Sequence, residues 1–421
     1  MKFIADFHIH SKYSHATSKF MDLVSLSTWG QLKGIGVMGT GDFTHPIWQQ
    51  ELKTQLQEVE PGLFELKSEY QKIITSQVTA SQVYESCKVN ALSPHRFMLS
   101  SEVSTVFKRN GRCYRTHSII LAPSFQAVDA ITKELEKIGN ITSDGRPILG
   151  CDAADIVKIV LNASEDCMVI PAHIWTPWYG LLGSKSGFNS VHEAFGYLTQ
   201  HIYAVEKGLS SNFLMNAQLS ELDKFALLCN SDAHSLQNLG REANLLDTDL
   251  SYAGITNALR KNDKNELVAG IEFFPERGKY YGDGHRACGV YLTPQQTVAC
   301  GGICPVCHKP VTIGVLNRVN QLADRTVEQA QEFVRKRYQV VPLFDVISHE
   351  LKQADTSQKV QKMYHQMLQQ VGPEFYILLK ASIQQIEQAS TPGIAQAIAK
   401  IRSGDIVILP GYDGVYGQVQ F

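Results

Sequence analysis

The sequence lacks the features that would assign it to a membrane or to the cell exterior. No apolar run reaches the roughly 18 residues that a membrane-spanning helix needs. The first residues form a predicted strand and do not have the layout of a signal peptide. The sequence also has no repeat of fixed period. We therefore expect a cytoplasmic protein without a repeat architecture.

The chain also lacks an excess of charge of either sign. Its 39 Lys and Arg residues against 41 Asp and Glu residues give a formal net charge of -2. Nucleic-acid or membrane binding through overall charge is therefore not indicated, and any such binding must use local patches. With 44% hydrophobic and 19% charged residues among 421, the composition is that of an ordinary globular protein with room for two or three domains.

A disulfide framework is not indicated either. The count of nine cysteines is odd. Five of them are scattered through the first 230 residues, which favours reduced structural thiols: Cys87, Cys113, Cys151, Cys167 and Cys229. The other four cysteines lie between residues 288 and 307.

These four cysteines belong to the segment DGHRACGVYLTPQQTVACGGICPVCHKP. His285 with Cys288, and Cys304 with Cys307, form two pairs whose spacing lets each pair reach one tetrahedral ion. The segment therefore predicts a structural zinc site with these four ligands. Cys300 is the alternative to His285, because it would complete an all-cysteine site.

Short apolar runs alternate with amphipathic stretches from residue 1 to about 275, as in FIADFHIH, IGVMGTGD, CMVIPAH and FALLCNSDAH. This alternation predicts an α/β fold with a largely parallel sheet or barrel. The Gly-rich stretch GKYYGDGH follows. We therefore predict a barrel domain over residues 1–277, a zinc-binding module over 278–320, and a mainly helical C-terminal region over 321–421 with a short β-like tail.

Polar residues stand where several of these apolar runs end. Asp6, His8 and His10 alternate at the first strand, and alternate residues of a strand share one face. Asp232 and His234 repeat this spacing after another apolar run. Carboxyl ends of strands are where α/β folds build their sites, because the loops there vary without disturbing the core. Imidazoles with carboxylates are typical ligands of zinc, manganese or iron in hydrolytic sites.

The resulting candidate metal ligands come from strand ends along the whole predicted barrel. They are His8, His10, Asp42, Glu102, His117, His173, Asp232 and His234. We assign Asp6 to the support of a ligand histidine. For His117, a position among apolar strand residues also fits a core histidine. His45, which precedes a proline, also fits the cap of a turn.

His8-x-His10, Gly-Asp42, Glu102, His117, Pro-Ala-His173 and Asp232-Ala-His234, in this order, resemble the PHP (polymerase and histidinol phosphatase) superfamily. The resemblance covers residues 1 to about 275. It implies a distorted (β/α)7 barrel that hydrolyses phosphoesters with two or three divalent metals (Zn, Mn, Fe or Mg). Many members have Asp-His where this chain has Asp42-Phe43, so His45 is kept as the alternative to Asp42. His15 is the candidate for a further histidine that some members carry.

A local basic patch is present in FKRNGRCYRTH, where an Asn-Gly turn predicts a hairpin. Its cations are Lys108, Arg109, Arg112 and Arg115. Such a patch can hold a phosphate backbone although the whole chain is not basic. Ordinary solvated surface charge is the alternative.

Aromatic residues follow His173 in HIWTPWYG, where Trp175, Trp178 and Tyr179 are expected at the rim of the site. A flipped or single-stranded base could stack on such side chains. Packing within the loop is the alternative.

Six motifs spread over nearly the whole chain together resemble the endonuclease Q family of DNA-repair nucleases within the PHP superfamily: HIHSKYS, GTGDFTHP, NSDAHS, DGHRACGV, CPVCHKPVTIGVLNRV and ILPGYDGVYG. The resemblance implies cleavage of the phosphodiester 5′ to a deaminated base (hypoxanthine, uracil or xanthine) or an abasic site. DNA containing such lesions would be the partner, and Glu102, His173, Asp232 and His234 would carry the catalysis. A small-molecule phosphomonoesterase and a non-catalytic, helicase-associated DNA-binding protein remain alternatives.

Overall fold

The computed structural model describes residues 1–71 and 95–421, so the predicted structural thiol of Cys87 lies outside the described residues. Within them the fold is mixed α/β, with a central sheet surrounded by helices. No helix in this part of the chain has both the length and the apolar character needed to cross a membrane.

The strands are mostly short and are concentrated before residue 293. They are β1 (Lys2–Asp6), β2 (Val37–Gly39), β3 (Leu56–Glu60), β4 (Leu63–Leu66), β5 (Arg96–Arg109), β6 (Arg112–Ala122), β7 (Ile148–Leu149), β8 (Met168–Pro171), β9 (Ala204–Glu206), β10 (Ala226–Leu228), β11 (Ala243–Asp247), β12 (Leu267–Phe273), β13 (Asp283–His285), β14 (Val290–Leu292), β15 (Arg337–Val340), β16 (Val407–Leu409) and β17 (Gln418–Gln420).

The helices alternate with these strands at first and dominate after residue 342. They are α1 (Leu23–Lys33), α2 (Pro46–Gln55), α3 (Phe125–Leu135), α4 (Ala153–Ala163), α5 (Val191–Phe195), α6 (Phe213–Ala217), α7 (Tyr252–Lys261), α8 (Pro294–Ala299), α9 (Val315–Leu322), α10 (Val327–Ala330), α11 (Leu343–Leu351), α12 (Gln358–Gln370), α13 (Glu374–Leu379), α14 (Ile383–Ala389) and α15 (Pro392–Ser403).

Helix ends carry the expected capping residues. Asp22 accepts a hydrogen bond from the backbone N–H of Ser25 and starts α1, and Gly34 ends the helix in the left-handed region at φ 83°. Ser251 and Asn262 do the same for α7. Local sequence signals therefore account for where these helices begin and end.

The central sheet is mixed, in contrast to the largely parallel sheet that we predicted. β1 pairs in parallel with β2, and β2 with β5. The pairs β1–β11, β11–β12, β5–β6 and β6–β8 are antiparallel. The Asn110-Gly111 turn explains the β5–β6 pair, because both residues have positive φ (52° and 79°) and a two-residue turn of this kind returns the chain directly.

β1 is buried on both of its faces only toward its C-terminal end. Phe3, Ala5 and Phe7 pack with Val37 and Met98 in one core cluster. On the other face Lys2 is exposed and Ile4 is partly buried, but Asp6 and the predicted ligands His8 and His10 are buried. Burial of these polar groups requires partners, which the site below supplies.

The C-terminal helices are fixed to the sheet in two ways. β15 pairs in parallel with β12. In addition, the Lys33 ammonium of α1 lies 2.9 Å from the Glu374 carboxylate of α13, and both side chains are buried. Lys33 also donates to the backbone carbonyl of Gln237, so the ion pair holds α13 near the loop that carries Asp232 and His234.

Candidate metal centres

The first group of metal-ligating side chains comes from two strand ends and from the middle of β5. Ligand atoms of His8, His10, Glu102 and Asp232 all lie within 4.8 Å of one another. His8 and His10 follow β1 on either side of Ile9, which forms a β-bridge with Ala233. That bridge brings the two predicted motifs together, so the imidazoles of the first motif face the carboxylate of the second.

A second group shares a residue with the first. Ligand atoms of Glu102, His117 and His173 also lie within 4.8 Å of one another. Glu102 lies on β5 and His117 on β6, where His117 pairs with Ser104, so the two side chains are diagonal neighbours across the antiparallel pair.

The two carboxylate oxygens of Glu102 face different groups. Oε2 lies 3.5 Å from His8 Nε2 and 3.3 Å from His10 Nε2. Oε1 lies 2.8 Å from His117 Nδ1 and 3.0 Å from His173 Nε2. The carboxylate of Glu102 therefore lies between the imidazoles of the first group and those of the second.

The residues present fit divalent metals. The buried Nε2 atom of His8 has no hydrogen-bond partner in the described residues, although it points at two carboxylates. An unpaired buried nitrogen of this kind is costly unless it binds an ion. Nitrogen and carboxylate oxygen together are a donor set for zinc, manganese or iron.

Electrostatics keep the shared carboxylate ionised. Burial alone would raise the pKa of Glu102, but the neighbouring His117, His8 and Arg146 outweigh it and hold that pKa well below its usual range. Burial would lower the pKa of His8, but Glu206 and Glu102 raise it well above its usual value. The cluster therefore attracts positive charge, as a metal site does.

A carboxylate contacts the Nδ1 atom of each histidine of the first motif. His8 Nδ1 lies 3.0 Å from Glu206 Oε1, and His10 Nδ1 lies 3.1 Å from Asp42 Oδ1. These contacts fix the two rings with Nε2 directed into the cluster, which is the usual arrangement around a metal-binding histidine. Asp42 thus lies behind His10 and outside both groups, where the prediction had made it a ligand.

His45 is also outside both groups. Its Nε2 lies 3.2 Å from the carbonyl oxygen of Thr142, and its ring stacks on Tyr13. The exposed His15 lies in neither group as well. Asp6, which we expected to orient a histidine, instead accepts hydrogen bonds from the backbone N–H groups of Ser231 and Gly240 and so fixes the loop that carries Asp232.

His234 lies at the edge of the first group without belonging to it. Its ring centre is 4.3 Å from that of His10, and its Nδ1 lies 3.0 Å from the carbonyl oxygen of Asp232. Its side chain is 28% exposed, so the ring borders the open side of the site.

The backbone is strained where the site is built. The φ angles of Asp42, His173 and Asp232 are 51°, 28° and 47°. Residues other than glycine rarely adopt this left-handed region. Each follows the end of a strand. Such conformations cost about 1–3 kcal/mol each and cluster at functional sites. Gly41 belongs to the same turn as Asp42, and a Cβ there would lie 2.5 Å from the carbonyl oxygen of Ile9.

Sequence reasoning missed two residues of the site. Glu206 ends the apolar strand in YAVEKG, the same layout that identified Asp232, and this signal could have found it. Its carboxylate contacts His8 and accepts a hydrogen bond from the backbone N–H of His173. Arg146 lies in a loop, and nothing in the local sequence connects it to Glu102, which its Nη1 contacts at 3.1 Å.

Replacing Glu206 with glutamine is expected to lower the metal affinity of the first group by about 10–100-fold, because His8 loses its charged support. Metal retention against a chelator, measured by elemental analysis, checks this. Glu221→Gln is the matched control, since Glu221 also accepts main-chain N–H bonds, from Val191 and His192, but lies outside both groups. Equal retention in wild type and Glu206→Gln would contradict the supporting role.

A third group lies in the cysteine-rich segment. Ligand atoms of His285, Cys288, Cys304 and Cys307 lie within 4.8 Å of one another, with Cys307 Sγ 3.6 Å from His285 Nδ1. Cys300 is not part of this group, and its thiol contacts the carbonyl oxygen of Thr297 at 3.4 Å. Three thiols and one imidazole fit a closed tetrahedral zinc site, and the geometry favours His285 over Cys300.

The predicted basic hairpin is formed by β5 and β6, but its cations differ in their surroundings. Arg109 donates to the carboxylate of Asp152 and to the carbonyl oxygen of Ala194. Lys108, Arg112 and Arg115 are exposed. The guanidinium of Arg109 thus fastens the hairpin to the protein. Arg112 adds a second contact, because its Nη2 donates to the carbonyl oxygen of Gly187 at 2.8 Å, whereas Lys108 and Arg115 extend toward solvent.

The aromatic residues after His173 also differ in their burial and contacts. Trp175 is 1% exposed and its indole N–H donates to Asn216, so it packs inside and not at the rim that we predicted. Trp178 is 38% exposed. The ring centre of Tyr179 lies 4.4 Å from that of the candidate ligand His117, and the guanidinium of Arg115 lies 5.9 Å from the Tyr179 ring centre.

A cavity of about 70 Å³ opens directly beside the metal-ligating groups. The residues that line it include His173 and Asp232, and also Lys279, Tyr280 and Tyr416. The Lys279 ammonium lies 5.5 Å from the Tyr280 ring centre and 5.9 Å from that of Tyr416. Lys279, Tyr280 and Tyr416 therefore form an aromatic and cationic wall of the cavity that His173 and Asp232 also line.

Comparison with known proteins gives partial matches by sequence. The family model described as the MJ0043 C-terminal domain matches residues 342–405. The uncharacterized protein MJ0043 of Methanocaldococcus jannaschii is 30% identical over 253 residues, which are 59% of this chain and 31% of that protein. The uncharacterized protein YqxK of Bacillus subtilis is 32% identical over 256 residues, 60% of this chain and 61% of that protein. The chain therefore spans less than two thirds of either relative.

Two solved structures match along the whole chain. One is the crystal structure of the lesion-specific endonuclease PfuEndoQ from Pyrococcus furiosus, with 27% identity and a TM-score of 0.83 over 100% of this chain and 96% of that one. The other is endonuclease Q in complex with a 27-mer duplex that has an abasic lesion at the active site, with 27% identity and a TM-score of 0.84 over 100% and 97% of the two chains.

Proposed function

We propose that this chain, which is close to endonuclease Q in structure along its whole length, is a DNA-repair endonuclease that cleaves the phosphodiester 5′ to a deaminated base or an abasic site. The single observation that carries the proposal is the position of Glu102 between two groups of imidazoles in such a fold. Hypoxanthine, uracil and xanthine are the deaminated bases that we propose as substrates.

We assign two metal sites that share Glu102. His8, His10 and Asp232 complete one of them, and His117 and His173 complete the other. His234, at the edge of the first site, is available to a third ion. Divalent metals in such a site supply a water nucleophile at neutral pH and Lewis-acid stabilisation of phosphoryl charge.

The remaining side chains of the site hold the ligands and the substrate. Glu206 and Asp42 keep His8 and His10 oriented through their Nδ1 atoms. The wall formed by Lys279, Tyr280 and Tyr416 offers a cation and ring faces to a nucleotide that has left the duplex. The lesion would enter the cavity beside Asp232, and the phosphate on its 5′ side would lie at the ligand groups.

DNA on either side of the lesion would lie on exposed cations and rings. Lys108, Arg112 and Arg115 extend from the β5–β6 hairpin, whose strands also carry Glu102 and His117. Trp178 and Tyr179 are the aromatic residues next to this path. Arg109 has an indirect role, because its hydrogen bonds to Asp152 and Ala194 hold the hairpin in place.

We propose three functional parts for the chain. Residues 1–277 would form a distorted (β/α)7 barrel of the PHP type with the catalytic metals, 278–320 a module with one structural zinc, and 321–421 a mainly helical region. The clustering of His285, Cys288, Cys304 and Cys307 supports the zinc module. The match of residues 342–405 to a separate family model supports a distinct C-terminal part.

The test uses duplex oligonucleotides with one inosine, one uracil or one abasic site, and a generic phosphomonoester in parallel, each with zinc, manganese, iron(II) or magnesium. Wild type is expected to incise the lesion strands, and Asp232→Ala to lose this activity. If the monoester turns over while every lesion strand stays intact, the protein is a phosphomonoesterase. If neither substrate reacts but DNA is retained in a gel shift, the protein is a binding protein.

A further inference from the structure

Arg146 lies beside the site in the loop between α3 and β7. Two hydrogen bonds of the Gly145 backbone hold this loop in place. Its N–H donates to the carbonyl oxygen of Tyr13, and its carbonyl oxygen accepts from the Thr44 hydroxyl. A Cβ at Gly145 would lie 2.4 Å from Asp42 Oδ2. Glycine is therefore required for this approach, which brings Arg146 to the candidate metal centre.

The side chain of Arg146 connects the buried ligands to the open side of the site. Its Nη1 donates to Glu102 Oε2 at 3.1 Å. The Glu102 side chain is 0% exposed, whereas the Arg146 side chain is 25% exposed. One part of the guanidinium thus contacts the shared carboxylate, and another part reaches the solvent from which a substrate enters.

Most of the hydrogen-bonding capacity of this guanidinium is unused. A guanidinium has five N–H donors in a planar fork. In the described residues, the hydrogen bond to Glu102 is the one that the Arg146 side chain donates, from Nη1. Nε and Nη2 have no acceptor there. A fork of free donors at the mouth of a site suits the oxygens of a phosphate group.

The positive charge of Arg146 also favours a phosphate ligand. If Glu102 is a metal ligand, its negative charge is already offset, so the carboxylate does not need a guanidinium for neutralisation. Arg146 then adds positive charge beside Glu102, and also near Asp232. A phosphodiester brings negative charge to this place, and hydrolysis increases the charge on its non-bridging oxygens.

We infer that Arg146 binds a non-bridging oxygen of the phosphate that is cleaved, through the donors that face the opening of the site. The inference rests on the proposed function, because it takes the phosphodiester to lie at the ligand groups. It adds a substrate-contacting residue that is not a metal ligand. Arg146 would stabilise the charge that develops on the phosphate during hydrolysis.

The test compares Arg146→Gln and Arg146→Lys in the metal-loaded protein of residues 1–421. Three quantities are measured: metal content by elemental analysis, binding of inorganic phosphate by calorimetry, and incision kinetics. Arg260→Gln is the control, since Arg260 donates to the carbonyl oxygens of Glu165 and Asp166 and lies outside the metal-ligating groups. The control is expected to match wild type in all three.

For Arg146→Gln we expect unchanged metal content, at least about tenfold weaker phosphate binding, and kcat lowered by about 100-fold, as for removal of one donor to developing charge. Arg146→Lys keeps the charge but lacks the planar fork of donors. Its phosphate affinity and kcat are expected to lie between those of wild type and Arg146→Gln. Loss of metal would show that Arg146 only positions Glu102 and would overturn the inference. Phosphate binding equal to wild type, or no phosphate binding by wild type, would also overturn it.

The phosphate measurement separates this inference from the proposed function. If wild type binds phosphate through Arg146 but incises no lesion strand, the endonuclease proposal fails and the assignment of Arg146 to phosphate stands. If lesion strands are incised equally by wild type and Arg146→Gln, the endonuclease proposal stands and the assignment fails.

Discussion

Glu102→Gln is expected to reduce incision of a lesion-containing duplex by about a thousand-fold or more. Each oxygen of Glu102 faces a different group of imidazoles, so the substitution weakens both metal sites at once. An amide brings no charge and one oxygen acceptor in place of two. Loss of ~4 kcal/mol of electrostatic stabilisation corresponds to this reduction in rate.

The measurement is the single-turnover rate on an inosine duplex, together with metal content. Glu134→Gln is a matched control, because Glu134 lies on the exposed surface of α3 in an ion pair with Lys137. The control is expected to cleave as wild type does. A rate for Glu102→Gln within threefold of wild type would contradict the assignment of Glu102 as the shared ligand.

Cys304→Ser is expected to remove the structural zinc and leave the metals held by His8, Glu102 and His173 in place. Cys304 is fully buried in a small cluster with Leu292 and Val311, so its loss leaves that part of the chain with little apolar core. Binding of zinc in such segments contributes folding free energy directly. The protein should therefore unfold at a lower temperature.

DNA affinity of Cys304→Ser is expected to fall by at least about tenfold, equivalent to ~1.4 kcal/mol, if the segment holds the duplex. Elemental analysis and a gel shift check both parts. Cys300→Ser is the informative control: its thiol lies outside the group of four, and we expect its zinc to be retained. Unchanged zinc content in Cys304→Ser would refute the zinc assignment. Loss of zinc from Cys300→Ser would show that Cys300, and not His285, is the fourth ligand.

The ligand groups could largely be predicted because their residues follow simple spacing rules. His8 and His10 alternate directly after β1, and Asp232 follows another apolar run, so the spacing rule for strand ends predicts that such residues meet at one edge. Asp42 satisfies the same rule and yet lies behind His10. Its carboxylate is held there by hydrogen bonds from the backbone N–H and the hydroxyl of Ser11, contacts that motif spacing does not encode.

Other features depend on contacts between distant parts of the chain. Arg146 reaches Glu102 across 44 residues, and Gly145 permits the approach only because Asp42 lies opposite. The burial of Trp175 follows from its hydrogen bond to Asn216, 41 residues away. The Asn110-Gly111 turn accounts for the antiparallel β5–β6 pair, whereas the antiparallel β1–β11 pair joins Phe3 to Leu246, far along the chain.

Incision of two duplexes that differ in one base tests the central claim most directly. One duplex carries a single inosine and the other carries adenine at that position, and both are labelled at the 5′ end of that strand. We predict that the inosine strand is cut once, at the phosphodiester 5′ to inosine, and that the adenine strand stays intact. Equal cleavage of both strands, or no cleavage with any of the metals tested, would contradict the proposed function.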